Sequence, residues 1–194
     1  MVKKRINLVV FLLFSFNTLL LIQGREVISF NSDWLFKKGP FPERADVFNF
    51  NLTDGQWQEV TIPHTWNARD MQVEMSNATA FRNPQERFYT GEALYKKIFT
   101  PDSSMKDKNT FLRFEGVGSV VDVYVNNQFA GRHKGAYSAF VVELTRLLKY
   151  GEENEIILLV NNKSRPDVIP VNHVLFGVYG GIYRDVQLIT TSKV

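Results

Sequence analysis

The sequence contains no cysteine, and only three of its 194 residues are histidine. Without cysteine there are no disulfides and no thiolate metal sites, so the folded domain must be stabilised by its core alone. His64, His133 and His173 lie in separate segments without metal-ligand spacing, which argues against a zinc site. We therefore predict no metal and no cofactor.

A large excess of one charge is also absent. The chain has 23 basic and 20 acidic residues, and Lys3, Lys4 and Arg5 precede its first apolar run. The remainder is balanced, so the pI of about 9.1 does not predict a nucleic-acid partner.

Only one apolar run is long, and it lies at the N-terminus. A basic start at residues 1–5 leads into the apolar residues 6–22, followed by the small residue Gly24. This pattern is typical of a secretory signal peptide, here residues 1–24, with a domain over residues 25–194. A retained membrane anchor is the alternative, but the run is short for a span and contains Asn7 and Asn17. We expect an exported protein, periplasmic or extracellular, with no membrane contact after cleavage.

Short stretches of alternating apolar and polar residues, separated by polar turns, recur through the rest of the chain. With at most one helical turn, at residues 145–150, this pattern predicts an all-β fold, a two-layer β-sandwich. The predicted strands are residues 27–30, 34–38, 57–62, 92–100, 110–114, 119–125, 129–133, 140–144, 155–160 and 182–189.

The clearest local signal is a hairpin centred on Asn126-Asn127. Val121, Val123 and Val125 share one face of the strand before it. Asparagine tolerates positive φ, so the pair suits a two-residue turn between strands.

Other stretches carry weaker expectations. Residues 92–100 alternate and predict a strand that ends at Pro101, whereas the apolar residues 155–160 predict a strand covered on both faces. Residues 102–108 predict a charged, solvated turn, and residues 64–85 a long surface loop. That loop has either a binding role or no role at all. Four acidic residues are interpreted as solvent-facing strand positions: Glu115, Asp122, Glu143 and Asp185.

No catalytic set emerges from these residues. A G-x-S-x-G nucleophile motif is absent, and Gly180-Gly181 does not open a helix as a phosphate-binding loop would. Aromatic rings and polar side chains on loops are nevertheless what a sugar site uses, because rings stack on C–H faces and polar groups bond hydroxyls. For any one residue, packing within the domain is an alternative. The candidate substrate-binding residues are Trp66, Asn67, Tyr89, His133, Tyr137, Asn162 and Tyr179.

Six motifs in order resemble one known family. They are residues 62–67 (IPHTWN), 89–99 (YTG with YKKIF), 111–117 (FLRFEGV), 123–135 (VYVNN through GRHKG), 160–162 (VNN) and 179–186 (YGGIYRDV). Together they resemble the N-terminal sugar-binding domain of glycoside hydrolase family 2, the β-galactosidase clade in particular.

The resemblance implies a jelly-roll β-sandwich like the galactose-binding domains. In that family an immunoglobulin-like domain and a TIM barrel follow, and the barrel carries two catalytic Glu. Neither Glu lies in this sequence, so we expect a non-catalytic carbohydrate-binding or scaffold domain of a β-galactosidase-like enzyme. Its implied partners are a β-galactoside-like carbohydrate and those two further domains.

The resemblance also implies sugar contacts from two loops. One would contribute Arg87, Phe88 and Tyr89, and the other precedes Gly180-Gly181. The second loop usually carries an Asp, but this sequence has Leu175-Phe176-Gly177-Val178-Tyr179.

Two other functions remain open: a stand-alone, lectin-like carbohydrate-binding module, and a structural interaction domain. If further domains pack on this one, an exposed apolar patch is expected, involving Trp66, Phe88 and Phe176.

Overall fold

The computed structural model of this chain describes residues 24–41, 57–68, 89–169 and 179–193. Within these ranges the protein is built from β-strands and one 3-10 helix, Ser103–Asp107, with no α-helix. The strands are β1 Glu26–Ser29, β2 Trp34–Lys38, β3 Gln58–Val60, β4 Glu92–Phe99, β5 Lys108–Phe114, β6 Val120–Val125, β7 Gln128–Lys134, β8 Phe140–Glu143, β9 Asn154–Asn161 and β10 Val186–Ser192.

The strands form two antiparallel sheets. One has four strands in the order β1-β10-β5-β8, and the other has six in the order β3-β2-β4-β9-β6-β7. Most neighbouring strands are distant in sequence. For example, β10 pairs with both β1 and β5. The predicted all-β sandwich is confirmed.

The core lies between the two sheets and follows from the alternation of each strand. In β5, Thr110, Leu112 and Phe114 are buried while the intervening residues are partly exposed. From the other sheet, Trp34, Tyr95 and Leu158 are fully buried. Apolar area removed from water stabilises such a core by about 25 cal/mol per Å².

The predicted hairpin joins β6 to β7. Asn126 and Asn127 have φ values of 49° and 64°, so both adopt the left-handed conformation that a two-residue hairpin turn requires. Val121, Val123 and Val125 are all fully buried, as predicted. The register shifts between Val123 and Tyr124, which places a bulge in β7.

Two central strands are covered on both faces, and only one of them was predicted to be. β9 lies between β4 and β6, and its apolar run is largely buried. In β4, whose residues alternate between apolar and polar, Leu94 and Lys96 on one face are buried as well as Tyr95 on the other. The Lys96 ammonium can be buried because it forms an ion pair with Glu155.

Three expectations need correction. Asp122 is 7% exposed rather than solvent-facing, because Arg132 across the hairpin holds its carboxylate at 2.5 Å. The segment predicted as a solvated turn contains the 3-10 helix, whose Met105 is buried. The last strand begins at Val186 rather than at Ile182.

Several predictions fall outside the described residues. They concern the N-terminal residues 1–23, most of the predicted 64–85 loop, Arg87 and Phe88, and residues 175–178. In the part of the chain that the structure describes, no helix has the length and hydropathy needed to cross a membrane.

Candidate functional site

Five of the seven candidate residues lie together at one end of the sandwich. They come from the segment after β3 (Trp66, Asn67), the approach to β4 (Tyr89), the exit from β9 (Asn162) and the approach to β10 (Tyr179). These strand ends meet because β4 and β9 are antiparallel neighbours, and because Gly118 and Gly181, outside the named strands, form an antiparallel bridge.

Two consecutive glycines allow the chain to pass close to this end. A Cβ at Gly180 would overlap the Trp66 ring, with Cη2 at 2.7 Å and two other ring atoms closer still. Gly181 has a φ of +119°, and a Cβ there would lie 2.5 Å from the His64 carbonyl oxygen. The pair therefore reflects close packing and backbone conformation.

Tyr89 presents its backbone carbonyl to three side chains. Trp66 Nε1 donates to the Tyr89 carbonyl oxygen at 3.2 Å, Asn67 Nδ2 at 3.1 Å and Asn162 Nδ2 at 3.3 Å. The Tyr89 ring folds back over Gly91, and its hydroxyl donates to the Glu92 carbonyl at 3.1 Å. Burial raises the pKa of the Tyr89 hydroxyl.

The same two asparagines accept hydrogen bonds from glycine amides. The Gly180 N–H donates to Asn67 Oδ1 at 2.7 Å, and the Gly91 N–H donates to Asn162 Oδ1 at 2.8 Å. Asn162 Nδ2 also lies 3.4 Å from Asn67 Oδ1. Asn67 and Asn162 are 0% and 1% exposed, so their amides support backbone rather than line a surface. We call this pair the asparagine clamp.

Two further residues, His64 and Thr65, make hydrogen bonds next to this arrangement. Neither was selected from the sequence as a site residue. His64 Nδ1 lies 2.7 Å from the Tyr95 hydroxyl, and Thr65 Oγ1 donates to the Gly180 carbonyl at 2.7 Å. Burial lowers the pKa of His64 and raises that of Tyr95. His64 and Thr65 both belong to the IPHTWN motif of residues 62–67, and this motif is the sequence signal that could have identified them.

His133 and Tyr137 lie in and after β7, on the connection to β8. The His133 ring stacks on Phe140 with centroids 4.2 Å apart, and its Nε2 lies 3.1 Å from the Gly135 carbonyl oxygen. Burial lowers the pKa of His133. Tyr137, by contrast, is 60% exposed.

The β7–β8 connection adjoins the first group through Tyr183. The Tyr183 hydroxyl donates to the Ala136 carbonyl, while its ring lies beside Gly116. A Cβ at Gly118 would overlap the Tyr179 carbonyl oxygen, which places Tyr179 on the same side. Ala136 in turn donates its N–H to Ile169 at 3.0 Å.

Three of the described large hydrophobic side chains on this side are exposed. Tyr179 is 46% exposed and Ile169 is 74% exposed, alongside Tyr137. Trp66 is only 8% exposed, so it does not belong to the exposed apolar patch that was predicted to include it. We call Tyr137, Ile169 and Tyr179 the exposed end patch.

Among the described residues, no three or more His, Cys, Asp or Glu side chains form a group that could hold a metal ion. The described side chains at this end offer aromatic rings and hydrogen-bonding groups.

Comparison with known proteins decides the family. Residues 27–192 match the family model described as glycosyl hydrolases family 2, sugar binding domain. This chain belongs to that family. Its strands and the clamp residues therefore form a sugar-binding domain of family 2.

Similar proteins come from several bacteria. The domain is 37% identical over 169 residues to a β-glucuronidase of Bacteroides fragilis and 34% identical over 168 residues to a β-galactosidase of Thermoanaerobacter pseudethanolicus. These matches cover 87% and 85% of the chain but only 21% of each relative.

Solved structures agree. A candidate β-galactosidase from Bacteroides fragilis superposes with a TM-score of 0.73 at 51% identity, covering 87% of this chain and 24% of the other. A Bacteroides uniformis β-glucuronidase superposes with a TM-score of 0.69 at 28% identity, covering 87% of this chain and 18% of the other. The family 2 domain spans about a fifth of the length of its relatives.

Proposed function

We propose that this chain acts as a non-catalytic, carbohydrate-binding and scaffolding domain of an exported glycosidase of the β-galactosidase or β-glucuronidase type. The observation that carries the proposal is the family match over residues 27–192 in a chain that spans only about a fifth of its glycosidase relatives. The reacting groups would come from the remaining polypeptide, and this domain would contribute loop ends to the substrate pocket.

The geometry of the strand ends supports this role. The clamp fixes the backbone at Tyr89, Gly91 and Gly180, which lie where the two loops implied by the family resemblance rejoin the sheets. A substrate pocket needs such fixed positions, because misplacing a contact by about 1 Å weakens its effect on the reaction severely.

The exposed end patch supports the presence of a further domain. Tyr137, Ile169 and Tyr179 expose between 46% and 74% of their surface at the same end of the sandwich. Large apolar patches on a surface mark contacts with another protein surface or a ligand, and these exposed side chains are candidates for such a contact. The immunoglobulin-like and TIM-barrel domains of the same enzyme are the proposed occupants.

The first test is the reading frame that encodes this chain. We expect it to continue beyond Val194 into an immunoglobulin-like domain and a TIM barrel with two catalytic Glu. The complete polypeptide should release p-nitrophenol from a p-nitrophenyl β-galactoside or β-glucuronide. A stop codon after Val194 with no adjacent hydrolase gene would refute the proposal.

A stand-alone carbohydrate-binding module is the second candidate, and the two exposed tyrosine rings favour it. Such rings stack on the C–H faces of sugars. In this case galactose or a β-galactoside would bind the isolated chain in titration calorimetry, and Tyr137→Ala and Tyr179→Ala would each weaken binding. Phe129→Ala is the matched control, because Phe129 is 59% exposed but lies near the hairpin turn at the other end of β6.

Export is also a proposal, supported by the basic and apolar N-terminal pattern of residues 1–24. Mass spectrometry of the secreted protein should find an N-terminus near Arg25. Recovery of the full-length N-terminus from the membrane fraction would favour the anchor instead.

A further inference from the structure

Asn67 and Asn162 are 95 residues apart in sequence, yet their amides meet in the interior at the end of the sandwich. The path of hydrogen bonds runs from the Gly91 N–H to Asn162, from Asn162 to Asn67, and from the Gly180 N–H to Asn67. The distances along it are 2.8, 3.4 and 2.7 Å. Two loop ends that belong to different strands are thus joined through side chains.

The Tyr89 carbonyl adds a second connection between the same partners. A carbonyl oxygen offers two lone pairs. This one receives N–H groups from Trp66, Asn67 and Asn162, all within 3.3 Å. Both asparagines therefore share one acceptor with Trp66, and this shared acceptor links them through the backbone at Tyr89.

Direct contact with a sugar does not fit these two residues. Asn67 is 0% exposed and Asn162 is 1% exposed, so a ligand could reach neither amide without displacing the backbone around it. A buried amide that leaves its partners unsatisfied is costly, which explains why both the acceptor and the donor of each asparagine are engaged.

We infer that Asn67 and Asn162 are positioning residues, which hold the Tyr89–Gly91 and Tyr179–Gly181 loop ends as one unit and so set the pocket edge together. The functional meaning of this inference rests on the proposed glycosidase role. The structural part of the inference is that a change at one loop end alters the backbone at the other. This coupling can be tested on the chain itself.

Asn162→Asp is the informative substitution. An aspartate can still accept the Gly91 N–H, but a carboxylate cannot donate to the Tyr89 carbonyl or to Asn67. Among the hydrogen bonds of the described residues, Asn162 is linked to Gly180 through Asn67, and a second link to Asn67 passes through the Tyr89 carbonyl, so an effect at Gly180 would report on this connection.

Asn154→Asp is the matched control, because Asn154 lies at the opposite end of β9 and is also 1% exposed. Its Nδ2 donates to the Lys149 and Glu152 carbonyls at 2.7 and 2.8 Å, and its Oδ1 accepts the Lys149 N–H. It loses the same chemical groups without touching either loop end.

The measurement is backbone hydrogen exchange of the folded chain, with the Leu158 amide in the middle of β9 as the internal reference for global unfolding. Relative to Leu158, we expect Asn162→Asp to speed exchange at Gly180 by roughly tenfold, the effect of losing about one buried hydrogen bond. Asn154→Asp should leave the Gly180 to Leu158 ratio unchanged. An unchanged ratio in Asn162→Asp, or the same rise in both variants, would overturn the inference.

Kinetics of the complete polypeptide separate this inference from the proposed function. If both hold, Asn162→Asp alters KM or kcat for the glycoside, whereas Asn154→Asp at a similar Tm does not. If no polypeptide containing this chain hydrolyses a glycoside, the proposed function fails while the exchange ratio still decides the coupling. An active enzyme with unchanged kinetics in Asn162→Asp would refute the positioning role.

Discussion

Gly180→Ala tests whether the close approach of Trp66 to the chain holds this end of the sandwich together. Gly180 is not among the glycines with positive φ, so alanine should adopt its backbone conformation without strain. The added methyl group would meet the Trp66 ring, whose Cη2 lies 2.7 Å from the Cβ position. Non-bonded carbons rest about 3.5–4.0 Å apart, so the ring or the backbone must move by about 1 Å or more.

The magnitude follows from what the movement disturbs. Trp66 is buried, and its Nε1 donates to the Tyr89 carbonyl at 3.2 Å. Overpacking a core costs about 1–3 kcal/mol. Weakening a buried hydrogen bond adds about 1 kcal/mol. We expect the free energy of unfolding to fall by about 2–4 kcal/mol.

Urea unfolding followed by far-UV circular dichroism measures this change, provided that the m-value stays constant. Gly131→Ala is the control, because its Cβ would have only Val142 methyl groups nearby, at 3.8 Å. That variant should be neutral or stabilised by up to about 1 kcal/mol.

A double-mutant cycle with Trp66→Leu identifies the cause. Leucine removes the ring that the new methyl group would meet, so Gly180→Ala should cost less in the Trp66→Leu background, with a coupling of about 0.5–3 kcal/mol. A Gly180→Ala variant as stable as the original chain would contradict the predicted clash with Trp66. An equal cost in both backgrounds would refute it too.

Three further predictions concern the rest of the domain. Burial lowers the pKa of His64, so at a pH below the usual histidine value near 6.5 the unfolded chain binds more protons than the folded chain. The free energy of unfolding should therefore fall as the pH drops from 7 to 5. His64→Gln should make this fall smaller, as measured by the urea midpoints at the two pH values. Asn127→Gly should leave the Tm nearly unchanged, because glycine adopts positive φ freely. Asn126→Gly should lower the Tm, because it loses the hydrogen bonds from Asn126 to the Leu147 carbonyl (2.8 Å) and to Asn154 (2.7 Å). Equal Tm values for the two variants would contradict this contrast. Hydrogen bonds from Lys134 and Arg165 lower the pKa of Asp167 to about 2, so its contribution to stability should be lost only as the pH falls from about 4 toward 2. Asp167→Asn should lack this small acid-induced loss of stability. The same loss between pH 4 and pH 2 in the variant and in the original chain would refute the assignment.

The strands were predictable because their signals are local. Alternation identified individual strands but not their sheets, and the tolerance of asparagine for positive φ located the turn at Asn126 and Asn127. The start of β10 was wrong because Ile182 gives its carbonyl to the His64 N–H, outside the strand ladder. Apolar character alone could not distinguish that contact from a strand.

The residues of the site could be predicted from their types, but the inward orientation of their side chains could not. Trp66, Asn67 and Asn162 were selected as potential sugar contacts, and the structure brings them together with Tyr89. Their inward orientation depends on partners as far apart as Gly180 and Asn67, which are 113 residues apart in sequence. No local pattern encodes such a contact. Direct sugar contact stays a prediction for all seven candidate residues, although the burial of Asn67 and Asn162 does not favour it for those two.

Asp122 illustrates the same limit for charge. An acidic residue between apolar strand positions normally faces water, yet here Arg132 on the neighbouring strand pairs with it at 2.5 Å. The partner is ten residues away across a bulged hairpin, so its position depends on the shifted register. Composition alone could not place the two charges opposite each other.

The most direct test of the central claim compares glycoside hydrolysis by this chain and by the complete polypeptide of its reading frame. With p-nitrophenyl β-galactoside and β-glucuronide as substrates, the isolated chain should show only the uncatalysed rate, while the complete polypeptide turns over one of them. Hydrolysis by the isolated chain that a point substitution in its own residues abolishes would contradict the account.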